Sequence, residues 1–316
     1  MKKVKVLVLP LLLFLLGCNS SDKSSTITIF HAGSLSLPLK AAADSFMKAN
    51  PGVQVVLESA GSVECSRKIT ELGRKCDLFF SADYNVIKNL LLTEYATYFI
   101  PFASNKMVVA YRPDSRLADS ISADSWIDIL LNQDVRYGRS DPNNDPCGYR
   151  TVLLLDLAEK YYSRTGVASH ILAKDHKYIR PKEVDLIALL EAGAIDYFFI
   201  YESVALQHDL SFLSLPDSIN LGNPDLSDYY SSVSTQIKGS KPNEVLTIHG
   251  EPILYAFTIP TNAPNPELAQ KFASFFLSKN GGLSIVEAMG QNVLVPFNPD
   301  GCGEVPKEFL KFAKMN

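Results

Sequence analysis

Two carboxylates, three small hydroxyl or glycine turns and one strand-end tyrosine are the residues of this chain whose types and spacing could do chemistry. The densest cluster is Gly138-Arg-Ser-Asp-Pro-Asn-Asn-Asp-Pro-Cys-Gly-Tyr-Arg150, with two Asp-Pro steps and flanking arginines before a long apolar-periodic segment. Asp145 has N-cap chemistry, and Pro146 suits the first helical position with its fixed φ and missing N–H. The amides of Cys147 and Gly148 are then expected to point out of a positively polarised helix end, where an anion is favoured. His31-Ala-Gly-Ser34 and Ser59-Ala-Gly-Ser62 each follow a β-type run and precede a helical pattern. Three such turns converging on one cleft would make a dehydrated oxyanion site.

The elements that must position these turns alternate. Ile27 to Phe30, Val53 to Glu58 and Asp77 to Ser81 read as strands, and Leu35 to Ala49, Val63 to Lys75 and Val86 to Leu92 as helices. The pattern predicts a parallel α/β sheet with its strand-to-helix turns on one edge, where ligands bind in open α/β folds. Asn105 to Arg112 and Ile253 to Ile259 are further β runs, separated by a second α/β pattern, and read as two crossings between lobes. Asn265 to Leu277 and Gly282 to Met289 are amphipathic helices returning to the first lobe. The expected division is residues 27–104 and 256–316 for lobe 1 and residues 105–255 for lobe 2. Ser211 to Glu244, rich in Ser, Asp, Asn and Pro, gives little regular structure.

In lobe 2, the proline of Arg180-Pro-Lys-Glu183 opens a helical pattern that Gly193 closes, which places Glu183 in a first turn. Asp196 to Tyr201 reads as a buried strand ending in Tyr201. A first-turn carboxylate is favourable by ~0.3 to 1 kcal/mol without any ligand, and a strand-end tyrosine is ordinarily packing, so pattern alone assigns neither to a site.

The N-terminus addresses the chain to the outside of the cytoplasm. Lys2, Lys3 and Lys5 precede an apolar run from Val6 to Leu16 and then Gly17-Cys18, which matches a secretory signal over residues 1–17 with a lipobox, the other reading being an ordinary signal peptide with a coincidental cysteine. The run is too short to span a bilayer. Cleavage before Cys18 would leave that cysteine for acylation, with residues 18–26 as a polar tether. The remainder of about 290 residues suffices for two medium domains.

The formal net charge is −4, and −7 once the three leader lysines are removed. A mildly acidic body with no basic run argues against nucleic acid as a partner, and leaves anion capture to local geometry. Cys65, Cys76, Cys147 and Cys302 match no zinc spacing; outside the cytoplasm they could form one or two disulfides or remain buried thiols. The chain has no Gly-x-Ser-x-Gly elbow, no His-Glu-x-x-His motif and no phosphate-loop lysine motif, and its five histidines are scattered. His31 is expected to support its turn rather than bind.

The phrases HAGSLS (31–36), AGS (60–62) followed by RKITELGRKCD (67–77), ADY (82–84), NKMVVAYR (105–112), SDPNNDPCGYR (140–150), RPKEVDLIALLEAG (180–193), IDYFFIYESVA (195–205) and EPILYAFTIP (251–260) occur in this order. Together they resemble the tungstate/molybdate-binding proteins of the WtpA type, from about Ile27 to Leu294. The resemblance implies a type II-like periplasmic binding protein fold, two α/β lobes joined by two crossing strands. It also implies a monomeric solute receptor serving an ABC permease and its ATPase, with no enzymatic activity and no cofactor. Carried over by position, Gly33, Ser34 and Ser62 contact the oxyanion from lobe 1, and Asp145, Pro146, Cys147, Glu183 and Tyr201 from lobe 2. Tyr201 donates through its backbone or its hydroxyl. Asp141 competes with Asp145, its other role being to organise the turn. Ser163 to Lys177 forms a shorter connection than the family pattern leads one to expect.

The two carboxylates sharpen the choice of ligand. At an effective dielectric of 20 and ~4 Å, a carboxylate and a dianion repel by roughly 8 kcal/mol, whereas a helix end returns at most ~2 kcal/mol. The conflict resolves if Asp145 and Glu183 bond to a central Mo(VI) or W(VI) that expands from four ligands to six, as the resemblance implies and as sulfur or phosphorus cannot do. A protonated carboxyl donating a hydrogen bond is the other escape. The competing readings are a receptor for another oxyanion or for ferric ion, and a lipoprotein enzyme.

Overall fold

The computed structural model describes residues 25–174, 176–239 and 243–314, so the signal segment, Cys18 and most of the tether lie outside the described residues. In chain order, the first half runs β1 (Thr26–Ala32), α1 (Ser36–Ala49), β2 (Gln54–Ala60), α2 (Ser62–Thr70), β3 (Leu78–Ser81), α3 (Tyr84–Leu90), β4 (Ile100–Asn105), β5 (Met107–Tyr111), α4 (Trp126–Leu131), β6 (Tyr137–Ser140) and α5 (Pro146–Tyr161). It continues through α6 (Val167–Ala173), β7 (Ile179–Arg180), α7 (Asp185–Glu191), β8 (Tyr197–Tyr201), α8 (Glu202–Gln207), β9 (Ser211–Ser214), α9 (Asp217–Asn220), α10 (Ser227–Tyr230), β10 (Ser234–Lys238) and β11 (Val245–His249). The chain closes with β12 (Ile253–Thr258), α11 (Pro266–Phe276), α12 (Gly282–Ala288), β13 (Asn292–Val293) and α13 (Lys307–Leu310).

Two mixed sheets organise these elements. The first has strand order β13-β4-β12-β3-β1-β2 and the second β7-β6-β8-β5-β9, while β10 and β11 form a separate hairpin. Within the first sheet β1 runs parallel to β2 and β3, and β12 antiparallel to β3 and β4. Within the second, β6 runs parallel to β7 and β8, and β5 antiparallel to β8 and β9. The chain leaves the first sheet at Asn105 and enters the second at Met107; it returns through Gly250 to Pro252, since Ile253 already pairs with Asn105.

Burial explains why these segments are strands. All four residues of β3 and all five of β8 are buried, as expected of apolar runs covered on both faces. In the first lobe Phe80 sits 4.8 to 6.5 Å from the rings of Phe102, Phe257, Phe272 and Phe276. In the second, Phe199 meets Trp126 and Tyr137 edge-on. These two aromatic clusters keep the strand ends at fixed positions on either side of the cleft.

The structure departs from the sequence reading in three places. Helix α2 ends at Thr70 rather than Lys75, because Gly73 turns left-handed (φ +61°) and the Arg74 amide reaches back 2.9 Å to the Lys68 carbonyl. The region 211–244 contains β9, α9, α10 and β10, elements of four or five residues too short and polar to announce themselves by periodicity. Glu183 lies before its helix, which begins at Asp185, although Gly193 does close that helix with φ +63°. Of the two alternatives open to Cys65, Cys76, Cys147 and Cys302, the structure takes the second: all four are buried free thiols. Among the described residues no helix is long and apolar enough to cross a membrane.

Candidate functional site

Five strand ends face one another across the cleft. From the first sheet come the turns after β1 (Gly33, Ser34), β2 (Gly61, Ser62) and β3 (Ala82, Asp83); from the second come those after β6 (Asp141 to Asp145) and β8 (Tyr201). The turn after β7, carrying Glu183, joins them. The lobes are closed onto each other here: the Glu64 amide donates to the Asn144 carbonyl at 3.1 Å, and Arg67 Nη1 to the Asn143 carbonyl at 3.0 Å.

Asp145 occupies the N-cap position of α5 with extended backbone (φ −139°, ψ 131°) and Pro146 next to it. Its side chain does not cap its own helix; Oδ2 accepts the Glu183 amide at 3.1 Å. The Gly148 amide, expected to point into the cleft, instead donates to the Asp145 carbonyl at 3.0 Å. Asp141 organises the preceding turn, accepting from the Asn143 amide at 2.9 Å and from Asn144 Nδ2 at 2.9 Å.

Two carboxylates stand out among the described residues. Asp145 and Glu183 are each 1% exposed, yet no protein N–H or hydroxyl donor satisfies Asp145 Oδ1 or either Glu183 carboxyl oxygen, and the two carboxyls lie against each other. Burial raises both carboxyls, and the Asp145 charge drives Glu183 further, well above the usual carboxylate range. Each abuts a glycine of the opposite lobe. A Cβ on Gly33 would meet both Glu183 oxygens at 3.2 Å, and one on Gly61 would meet the Asn144 carbonyl oxygen at 2.2 Å and the Asp145 Cβ at 3.1 Å. Buried carboxyl oxygens without donors are costly, and the cost is relieved either by a proton shared between the two carboxyls or by an electrophilic partner bound between them.

The serines have the complementary property. Ser62 Oγ accepts the Ala82 amide at 3.0 Å, and Ser34 Oγ accepts the Tyr255 hydroxyl at 3.1 Å. Each hydroxyl therefore has its acceptor side used within its own lobe and its single proton left to donate. A register shift between Tyr255 and Ala256 in β12 accompanies this reach of Tyr255 toward Ser34. Tyr201 Oη accepts from Arg150 Nη1 at 2.9 Å, and burial holds its phenol protonated, leaving a third donor.

Arg150, one helical turn beyond Cys147, is the residue that sequence reasoning noted only as a flank. It is 2% exposed and bonds to Tyr201, to the Ala82 carbonyl at 2.8 Å and to Asp83 at 2.9 Å. Its position three residues after Cys147, on the helix that opens at the site, was the available signal. Because Asp83 neutralises it, the cleft stays acidic. Cys147 is buried with its thiol pushed well above its usual range, and His31 Nδ1 sits on the Ala32 carbonyl at 2.8 Å with its pKa lowered to about 4 by burial. Neither forms a nucleophile–base pair with the other groups of the cleft. Among the described residues no cluster of three or more His, Cys, Asp or Glu is arranged to hold a metal ion by itself.

Two α/β lobes linked by two crossings, with strand-end turns meeting over a closed cleft, define the class of two-lobed periplasmic binding proteins. Over residues 27–290 the chain matches the family described as bacterial extracellular solute-binding protein. It is 44% identical to an uncharacterised solute-binding protein of Petrotoga mobilis, over 99% of this chain and 98% of the relative. It is 40% identical to the molybdate/tungstate-binding protein WtpA of Thermococcus kodakarensis, over 98% and 96%. Among solved structures, the periplasmic molybdate-binding protein of Azotobacter vinelandii superposes with a TM-score of 0.61 at 19% identity, covering 84% of this chain and 98% of that one. The sulfate-binding protein SubI of Mycobacterium tuberculosis gives 0.59 at 13% identity over 92% of each. Likeness at such identities shows the shared fold. The chain belongs to the bacterial extracellular solute-binding protein family, and within it to the WtpA type; it is a receptor and not an enzyme.

Proposed function

We propose that the protein is an extracytoplasmic receptor, tethered to the membrane by lipid on Cys18, that encloses molybdate or tungstate between its lobes. As a monomer it would deliver the anion to the permease and ATPase of an ABC importer. The observation that carries this reading is the pair of buried carboxyls, Asp145 and Glu183, with three unpartnered oxygens set among hydroxyl donors. The WtpA proteins of Thermococcus kodakarensis and Pyrococcus abyssi, 40% and 38% identical, are named as molybdate/tungstate-binding.

The division of labour follows from polarity. Ser34, Ser62 and Tyr201 donate to oxo groups, as do backbone amides at Gly33 and Cys147, while Pro146 fixes the helix entrance. Asp145 and Glu183 cannot donate when ionised, and repel a tetrahedral dianion; bonded to the central metal atom they complete six-fold coordination. Closure then satisfies every buried oxygen at once, which couples ligand capture to the shape a permease would read.

Titration calorimetry of the full chain stripped of ligand, with tungstate, molybdate and sulfate at two pH values about two units apart, tests this. The carboxyls are raised in the closed site, so the stability they lend the unliganded closed form is present below the ordinary carboxylate range and lost as pH rises through the raised values. A complex that uses ionised carboxylates is then expected to hold or gain affinity as pH rises. Tight binding of tungstate and molybdate, none of sulfate, and no fall with pH is the expected result. Affinity that drops steeply with rising pH would instead mean a protonated carboxyl donating to an oxo group, and comparable sulfate binding would remove the coordination argument.

A further inference from the structure

Behind the cleft, one buried ion pair ties the lobes together. Asp83 ends the turn after β3 in the first lobe and caps α3, its Oδ1 accepting the Asn85 amide at 2.9 Å. Arg150 and Tyr149 belong to α5, which packs on β6 and β8 of the second lobe. Asp83 Oδ2 accepts the Tyr149 hydroxyl at 2.5 Å and forms an ion pair with Arg150 Nη2 at 2.9 Å, and the Asp83 and Arg150 side chains are 2% and 3% exposed. Arg150 also donates to the Ala82 carbonyl and to the Tyr201 hydroxyl. Ala82, through its amide, holds Ser62 Oγ. A single guanidinium thus connects Ser62 in one lobe, through the one residue Ala82, with Tyr201 in the other.

We propose that Asp83, Tyr149 and Arg150 form a cross-lobe latch that locks the closed receptor and positions Ser62 and Tyr201 for their hydrogen bonds. Arg150 is a positioning residue, acting through Ala82 and Tyr201. Apart, Asp83 and Arg150 would each be free to take up water; together and dry, their attraction depends on both lobes being in register, so the pair reports closure in an all-or-none way. The latch therefore governs how long a captured anion stays, rather than how fast it enters.

This inference rests on the receptor reading, and its test separates the two. Release of radiolabelled tungstate from the full chain is followed after a chase with unlabelled anion, alongside association rate and the melting temperature of the ligand-free chain. Tyr149→Phe, which keeps the buried ring, is expected to speed release by about tenfold. Arg150→Gln is expected to speed it by at least ~30-fold. Association should stay within about twofold of wild type, because affinity changes in related complexes fall mainly on dissociation. The double variant Arg150→Gln/Asp83→Asn should release no faster than Arg150→Gln alone, since one coupled contact is removed in both. For Tyr149→Phe the ligand-free melting temperature should stay at the wild-type value, which a purely structural role would lower. Wild-type release rates in Tyr149→Phe and in the double variant, with wild-type chain retaining tungstate, overturn the latch alone; a wild-type chain that retains no tungstate overturns the receptor reading and the latch with it.

Discussion

Asp145→Asn and Glu183→Gln are each expected to weaken tungstate binding by at least ~100-fold while the ligand-free chain melts at or above its wild-type temperature. Loss of a residue that only supports a metal ligand already costs 10 to 100-fold, so loss of a ligand itself sets a higher floor. The fold should tolerate the change because both carboxyls are buried without partners for Asp145 Oδ1 or either Glu183 oxygen, and burial disfavours their charge. Neutralising them removes a cost, provided the replacing amides, equal in shape to the carboxyls, fill the same space. The same variants should narrow the discrimination against sulfate, because one of the two carboxylates that repel a tetrahedral dianion is gone. Calorimetry and thermal melting check the three statements together; unchanged tungstate affinity in either variant would remove that residue from the coordination sphere.

Gly61→Ala is expected to reduce tungstate affinity by about 100-fold or more without disturbing the open protein, by lowering the population of the binding-competent closed form. At φ −61° and ψ 145° the residue has a conformation open to alanine, so the substitution strains nothing within its own lobe. The added methyl would meet the Asn144 carbonyl oxygen of the other lobe at 2.2 Å and its carbon at 2.8 Å, and neither backbone atom can swing aside. The same clash would push Asp145 away from the first lobe. Small-angle scattering with saturating tungstate is expected to show the variant more extended than wild type. Wild-type affinity and compactness would mean that Gly61 and Asn144 do not approach in the complex.

What the sequence made legible was local. The Asp-Pro-Cys-Gly helix entrance, the two Ala-Gly-Ser turns and the alternation of strands and helices around them all follow from short-range rules, and the structure has Asp145 at the N-cap with Pro146 beside it. The left-handed Gly193 that ends α7 was equally readable. Glu183 was harder, because Val184 and the residues after it carry helical spacing while the hydrogen bond that fixes Glu183 runs from its amide to the carboxylate of Asp145, far away in the chain. The pairings that close the cleft, Gly61 against Asn144 and Asp83 against Arg150, link segments from different lobes, and no periodicity within either segment encodes them. Arg150 in particular has the appearance of an ordinary helix-interior residue until the opposite lobe supplies its carboxylate. The short strands β9 and β10 escaped for a different reason: they are half-exposed and polar, and are held by partners rather than by their own propensity.

The central claim is that Asp145 and Glu183 bond directly to the metal atom of the captured anion. X-ray absorption at the molybdenum edge of the molybdate-loaded chain measures this with least intervening inference, since tetrahedral and six-coordinate Mo(VI) differ in pre-edge intensity and in the number of oxygen shells. The expected spectrum has a weakened pre-edge and six oxygen neighbours, four short and two longer, with the longer shell losing one oxygen in Asp145→Asn or Glu183→Gln. Four equal short oxygens and the full pre-edge of free molybdate would contradict the claim, leaving a two-lobed oxyanion receptor whose carboxyls act as hydrogen-bond donors.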